Sequence, residues 1–297
     1  MNHQEILNTL NPIHIGLANS VSSSPIGNNN ETPTILYDAI KLEEGRKFTF
    51  DFEWYKLLSA YNYSVKELGK YQIIDNLLKF ADSYSQSSQF PPDLVKCMRI
   101  FKLLEIFKPS HIVELGSGTS TLVISSYLSY RNKENNSHDV KSITVERSQK
   151  WLDTTMKKLN SILIDIPDNH YQYSHVTDQV TISALRDFSE NSGALYIYLD
   201  SVILDNEKNQ GLDLVENILS KFNGTVMIHI DVRSRAVKEL GPMLNRLNLS
   251  GTFYTNLIHP RYSRDIRDNI QMVKRCFARF FWGSMAIYTV AVINTSD

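Results

Sequence analysis

Apolar residues recur along this chain in two rhythms. Leu94, Val95, Met98, Phe101, Leu104 and Phe107 fall three to four positions apart, with Lys96, Arg99, Lys102, Glu105 and Lys108 between them. That spacing predicts a helix with one apolar and one charged face. Pro91-Pro92-Asp93 opens it and Pro109 ends it. Beyond it, short apolar runs alternate with amphipathic stretches. Strands are predicted at 111–115, 142–146, 171–177, 194–200 and 224–231, with helices near 120–130, 148–160, 181–190, 207–222 and 233–248. Such alternation gives right-handed crossovers and a parallel sheet covered on both faces. Two further strands, near 251–258 and 284–293, flank a charged helical or irregular stretch.

The N-terminal part reads differently. Residues 18–34, rich in Ser, Asn and Pro, have the composition of a loop or mobile tail. From Phe48 to Tyr84, Trp54, Leu57, Leu58, Tyr61, Ile73, Ile74, Leu77 and Leu78 keep a helical spacing. The expected organisation is a flexible segment over 1–47, a helical accessory region over 48–89 packed on the main domain, and that domain over 90–297.

Composition narrows the class. With 297 residues, 42% hydrophobic and 21% charged, the chain suits one globular domain with an accessory segment. A net charge of -1 lacks the basic footprint of a nucleic-acid binder. The two cysteines, Cys97 and Cys276, have no metal-site spacing and form no disulfide framework, which fits a reducing cytoplasm. No signal peptide is visible, and the apolar stretch Phe280 to Ile293, broken by Gly283, Ser284 and Thr289, is too short to span a bilayer.

The chemistry concentrates at His111-Ile112-Val113-Glu114-Leu115-Gly116-Ser117-Gly118-Thr119-Ser120-Thr121. An apolar strand ends near a carboxylate, turns through two glycines and opens a helix, the place where open α/β sheets hold a nucleotide-like ligand. Glycine there permits unusual backbone angles and close approach of a ligand. A dinucleotide site wants a third glycine where Thr121 stands, and Glu114 would repel a diphosphate. A carboxylate suits a cationic ligand or one rich in donors.

The segment Glu114-Leu115-Gly116-Ser117-Gly118-Thr119-Ser120 resembles the first motif of class I S-adenosylmethionine-dependent methyltransferases. The resemblance covers roughly residues 90 to 297. It implies a Rossmann-like, doubly wound, mostly parallel seven-stranded sheet whose last strand is antiparallel and closes a terminal hairpin. It also implies S-adenosylmethionine as cofactor, held by the turn residues.

Acidic residues at successive strand tips extend the pattern. Glu146 ends the second strand, where an acid in a Rossmann-like unit accepts the ribose hydroxyls. Its distance from the glycines exceeds the usual gap of about 20 residues, and a polar surface insertion at 130–139 accounts for the excess. Asp178, after the third strand, either meets the adenine amino group, as the resemblance implies, or caps a helix. Asp200 and Asp231 end the fourth and fifth strands. They can position the cofactor ammonium or the acceptor, take the acceptor proton as general base, or hold a divalent cation. Metal-dependent catechol-type O-methyltransferases use an Asp-Asn pair after the fifth strand, and Val232 here replaces the Asn. The metal-free reading is therefore preferred, with Asp231 alternatively paired to Arg233 or Arg235.

His229 shares strand parity with Asp231 and is a candidate base as well as a candidate core histidine. His259-Pro260-Arg261-Tyr262 and the basic stretch from Arg261 to Arg279 suit a substrate wall or a solvated face. After the fourth strand, Asp200-Ser201-Val202-Ile203 replaces the Asn-Pro-Pro-Tyr of amino-group methylases. The leading expectation is transfer to a hydroxyl of a small molecule, without nucleic-acid or membrane partners. A cofactor-binding regulatory module without transfer activity is the alternative, and an NAD-dependent oxidoreductase a third.

Overall fold

The computed structural model describes residues 22–25, 94–135, 140–162, 171–175, 192–200, 210–231, 234–258 and 286–295, together with 66, 68–71, 73, 75–77, 183 and 185. Eight strands form one sheet. In chain order they are β1 (Ser22–Pro25), β2 (His111–Leu115), β3 (Lys141–Glu146), β4 (Tyr171–His175), β5 (Ser192–Leu199), β6 (Asn223–Asp231), β7 (Ser250–Ile258) and β8 (Ala286–Asn294). The helices are α1 (Leu94–Phe107), α2 (Thr119–Asn135), α3 (Gln149–Ile162), α4 (Gln210–Leu219) and α5 (Ser234–Arg246). Residues within 66–77 are also helical.

The sheet order is β1-β7-β8-β6-β5-β2-β3-β4. Strands β4, β3, β2, β5 and β6 pair in parallel, while β8 runs antiparallel to both β6 and β7. Chain order reverses between β2 and β5, so that crevice is the topological switch point of a Rossmann-like doubly wound sheet. The seven-stranded core and the terminal hairpin have the expected form. The eighth strand is a correction: β1 lies in the stretch expected as loop, and adds antiparallel to β7 with Ser22 opposite Thr255. A polar four-residue edge strand ending in proline leaves little periodicity to read.

Strand alternation sorts the core into two layers. Val113, Leu115, Ile143, Val145, Leu195, Ile197, Leu199, Val226, Ile228 and Ile230 meet Leu212, Val215 and Ile218 of α4 and Leu240, Met243 and Leu244 of α5. Ile112, Tyr196, Tyr198 and Met227 face α1 and α2 on the other side, through Met98, Phe101, Leu104, Leu122 and Tyr127, with Leu159 of α3 in the same cluster. Leu68, Ile73 and Leu77 join this second layer, so the described part of the upstream helical region packs on α1 and α2. Tyr71 donates a 2.6 Å hydrogen bond to Glu105 and stacks 4.4 Å from Phe101.

Two sequence readings change here. Helix α2 continues to Asn135, into the stretch expected as a surface loop. The presumed charged face of α1 is also not uniformly solvated: Arg99 is 7% exposed, and the Lys96 side chain 11%. Periodicity identifies residues that share a face, but α1 is flanked by both the sheet and the 66–77 region, so its buried surface is wider than the apolar stripe. No helix among the described residues is long and apolar enough to cross a membrane.

Candidate functional site

The glycine turn hangs over the switch point. At the end of β2, Gly116 takes φ 101° and donates its N–H to Val145 O at 2.8 Å. Asp200 N–H donates to Leu115 O at 3.1 Å, tying the tip of β5 to the same strand end. Gly118, φ 150°, precedes the first residue of α2 and donates its N–H to Thr121 Oγ1 at 2.8 Å. Thr121 thus performs the reciprocal half of a capping box, its side chain reaching back to the N-cap amide. A residue that replaces the third glycine of a dinucleotide motif here organises the helix start.

Glu114 lies beneath this turn with no exposed surface. Its Oε2 accepts from Thr144 Oγ1 at 2.7 Å, whereas Oε1 and the Ser120 hydroxyl have no hydrogen-bond partner among the described residues. Burial pushes the carboxyl up to about 8. The Ser120, Thr144 and Thr121 hydroxyls face it closely enough to favour its charge, and the negative Asp200 works against it. Only Thr144 closes a bond of normal length. The carboxyl is therefore protonated at neutral pH, and a cation brought beside Oε1 would ionise it.

Glu146, the tip of β3, is also buried. Its Oε2 accepts from Ser117 N–H at 2.8 Å and Ser117 Oγ at 3.0 Å, and its Oε1 from Ser148 N–H at 2.9 Å. A carboxylate has about four lone-pair sites, so three are engaged and capacity remains on Oε1. Trp151, in the first turn of α3, completes the grip by donating Nε1–H to Ser117 O at 2.7 Å. A Cβ at Gly118 would stand 3.9 Å from that same nitrogen. Sequence reading missed Trp151; the signal was an aromatic one helical turn beyond an acidic strand tip.

At the tip of β5, Asp200 pairs with Lys96 of α1, Nζ to Oδ2 at 2.9 Å. The ammonium also stands 5.6 Å from the centre of the Tyr198 ring. Beneath it lies His229 of β6, fully buried, its Nδ1 paired with the Tyr196 hydroxyl and its ring edge-on to Tyr198 at 4.8 Å. Burial, then the charges of Lys96 and Arg99, hold the imidazole well below its ordinary value, so it is neutral. Of the two sequence readings of His229, this setting is that of a core histidine, an enclosed imidazole bonded to Tyr196.

The structure thus brings Glu114, Gly116, Ser117, Gly118, Thr119, Ser120, Glu146 and Asp200 to one edge of the sheet. Asp231 ends β6, one residue beyond the Leu199–Ile230 pair that closes the β5–β6 ladder; its side chain lies outside the described residues. Asp178, Val232 and residues 259–280 also lie outside them. Among the described residues no group of three His, Cys, Asp or Glu side chains is arranged to hold a metal ion.

No protein-family model and no curated protein matches this chain. Among solved structures, it is similar to a Podospora anserina methyltransferase bound to S-adenosylhomocysteine, at 14% identity over 85% of this chain and 100% of that one, TM-score 0.39. It is similar to an Archaeoglobus fulgidus SAM-dependent methyltransferase at 11% identity over 69% of this chain and 94% of that one, TM-score 0.37. A cyclopropane-fatty-acyl-phospholipid synthase-like protein from Lactobacillus casei matches at 12% identity over 74% of this chain and 99% of that one, TM-score 0.39. These are likenesses of outline; the chemistry rests on the residues described above.

Proposed function

We propose that this chain is an S-adenosylmethionine-dependent methyltransferase that transfers a methyl group to a hydroxyl of a small molecule. The observation that carries the reading is Glu114. A buried carboxyl with an open Oε1 sits under a glycine turn at the switch point. Buried acids left incompletely bonded are costly, and this one is suited to a ligand that brings positive charge or donors. Ionised, it would oppose a diphosphate, and Thr121, not glycine, stands at the third position of the dinucleotide pattern.

The residues fit such a cofactor. The backbone of Gly116, Ser117, Gly118, Thr119 and Ser120 lines it, with Glu114 favouring its cationic part. Glu146 accepts the ribose hydroxyls on its remaining capacity, Asp178 addresses the adenine, and Asp200 holds the ammonium or the acceptor. When bound, the cofactor supplies an electrophilic methyl group on a sulfonium. The protein's part is positioning, exclusion of water and removal of the acceptor proton. For that last role Asp200 and Asp231 are the assigned carboxylates. A net charge of -1 favours a small acceptor over RNA.

Calorimetry with S-adenosylmethionine, S-adenosylhomocysteine and NAD tests the cofactor, and binding of NAD alone ends this reading. Glu146→Ala is expected to weaken cofactor binding by about 1.5–3 kcal/mol for each ribose hydrogen bond to the charged carboxylate that is lost. An unchanged affinity would leave Glu146 only its tie to Ser117 and Ser148. Labelled cofactor incubated with fractionated cell extract identifies the acceptor, label in RNA or protein refuting the small-molecule assignment. Added chelator decides whether a metal takes part.

A further inference from the structure

Helix α1 stands outside the alternating βα units, yet it delivers a cation to the ligand edge of the sheet. Lys96 lies in its first turn, and its ammonium is held from two sides, by the Asp200 carboxylate at 2.9 Å and by the Tyr198 ring. Asp200 in turn is close enough to Glu114 for its charge to be felt there, and its backbone is bonded to Leu115 at the root of the glycine turn. Lys96 and Asp200 thus form an ion pair at the crevice between β2 and β5, with the buried Glu114 carboxyl near the Asp200 side of it. The lysine pairs with the same carboxylate that a cationic ligand would approach.

We propose that Lys96 is a positioning residue that makes this site discriminate by charge, disfavouring a sulfonium relative to the corresponding neutral thioether. The inference rests on the cofactor reading above and deepens it. During transfer the methyl carbon bonds to the acceptor oxygen, the electron pair of the broken carbon–sulfur bond stays on sulfur, and the hydroxyl proton leaves to a carboxylate or water. The sulfonium charge disappears in that step. A fixed ammonium nearby therefore opposes the reactant more than the transition state, a difference that accelerates the chemical step. Asp200 limits the cost by holding the lysine in place and neutralising part of its field.

S-Adenosylmethionine and S-adenosylhomocysteine differ in that charge and in one methyl group, so the ratio of their dissociation constants isolates the effect from general damage to the pocket. Calorimetry on the wild type, Lys96→Met, Lys96→Gln, Lys96→Arg and Asp200→Asn reads it, with circular dichroism to confirm folding. Removing the lysine charge is expected to shift the ratio toward S-adenosylmethionine by about threefold or more, the effect of a unit charge at roughly 10 Å under strong dielectric screening. Lys96→Arg should keep the wild-type ratio, and Asp200→Asn should shift it the opposite way. An unmoved ratio in both neutral variants, or an arginine variant that behaves like them, overturns the role of Lys96 while leaving the cofactor reading intact. A wild type that binds neither compound overturns the cofactor reading itself.

Discussion

Replacing Glu114 by glutamine tests the buried carboxyl without reference to any ligand. The ordinary value of 4.5 rises to about 8 in the folded protein, because burial disfavours the charge. Between those two values the folded state keeps a proton that the unfolded state has lost. Stability of the wild type therefore falls as pH rises, by about 1.4 kcal/mol per pH unit for this one group. At pH 7 the accumulated penalty is about 3 kcal/mol, and it levels off above the folded value. Glutamine keeps an oxygen for the Thr144 hydroxyl to donate to, occupies nearly the same volume and does not titrate. The quantity to follow is the stability of Glu114→Gln minus that of the wild type, from urea unfolding at pH 5, 6, 7 and 8. This difference cancels every other titrating group to first order. It is expected to grow in favour of glutamine across that range and to be smallest at the acid end. Parallel profiles for the two proteins would show that the carboxyl is already ionised in the folded state, and the account of the site as one awaiting a cation would lose its basis.

Two further substitutions probe the frame around the site. Gly224→Ala places a Cβ 2.0 Å from Gly193 O, backbone against backbone, at a φ of 150°; neither strand can yield, and a loss of about 3 kcal/mol or more in chemical unfolding is expected. Gly193→Ala, at a φ of 118°, is also strained but meets the Ser110 side chain, its hydroxyl at 2.9 Å, and not backbone; it should cost less, so the reverse order would refute the packing argument. Trp151→Phe removes the donor to Ser117 O while keeping an aromatic ring. It should lower stability by about 1 kcal/mol and weaken S-adenosylhomocysteine binding in calorimetry, whereas an unchanged affinity would show that the turn holds its shape without this bond.

Much of this arrangement is legible before folding. The parallel strands show themselves as apolar runs, and the acids that end them, Glu146, Asp200 and Asp231, mark the ligand edge because a parallel sheet gathers its strand tips on one side. What escapes is whatever depends on a neighbour distant in sequence. Lys96 falls on the polar side of its own helix, yet 104 residues later Asp200 supplies its partner. Trp151 carries no sequence signal of its bond to Ser117 O, which lies 34 positions away and 2.7 Å distant in the fold. Thr121 reads as a missing glycine until its hydroxyl meets Gly118 N–H. Strand β1 is invisible because its pairing partner, β7, is distant in sequence.

The two faces of the sheet differ in polarity, and the proposed site lies on the polar one. Along β2, β3, β5 and β6 the residues under α4 and α5 are Val113, Leu115, Ile143, Val145, Leu195, Ile197, Leu199, Val226, Ile228 and Ile230, without a polar group. The alternating positions on the α1–α3 side include Glu114, Ser142, Thr144, Glu146, Tyr196, Tyr198 and His229, all buried. A parallel sheet covered on both sides can be apolar throughout, so each polar group on the second face carries a desolvation cost that its hydrogen bonds only partly offset. The cost increases toward the strand tips, where Glu114 Oε1 is left open and Lys96 and Asp200 are drawn partly out of water. Packing alone would have favoured the opposite gradient, since the centre of the sheet is the easiest place to satisfy a polar group through neighbouring strands. Polar residues that grow more numerous toward the glycine turn, with Glu114 Oε1 open beneath it, suit a surface whose remaining partner is a ligand.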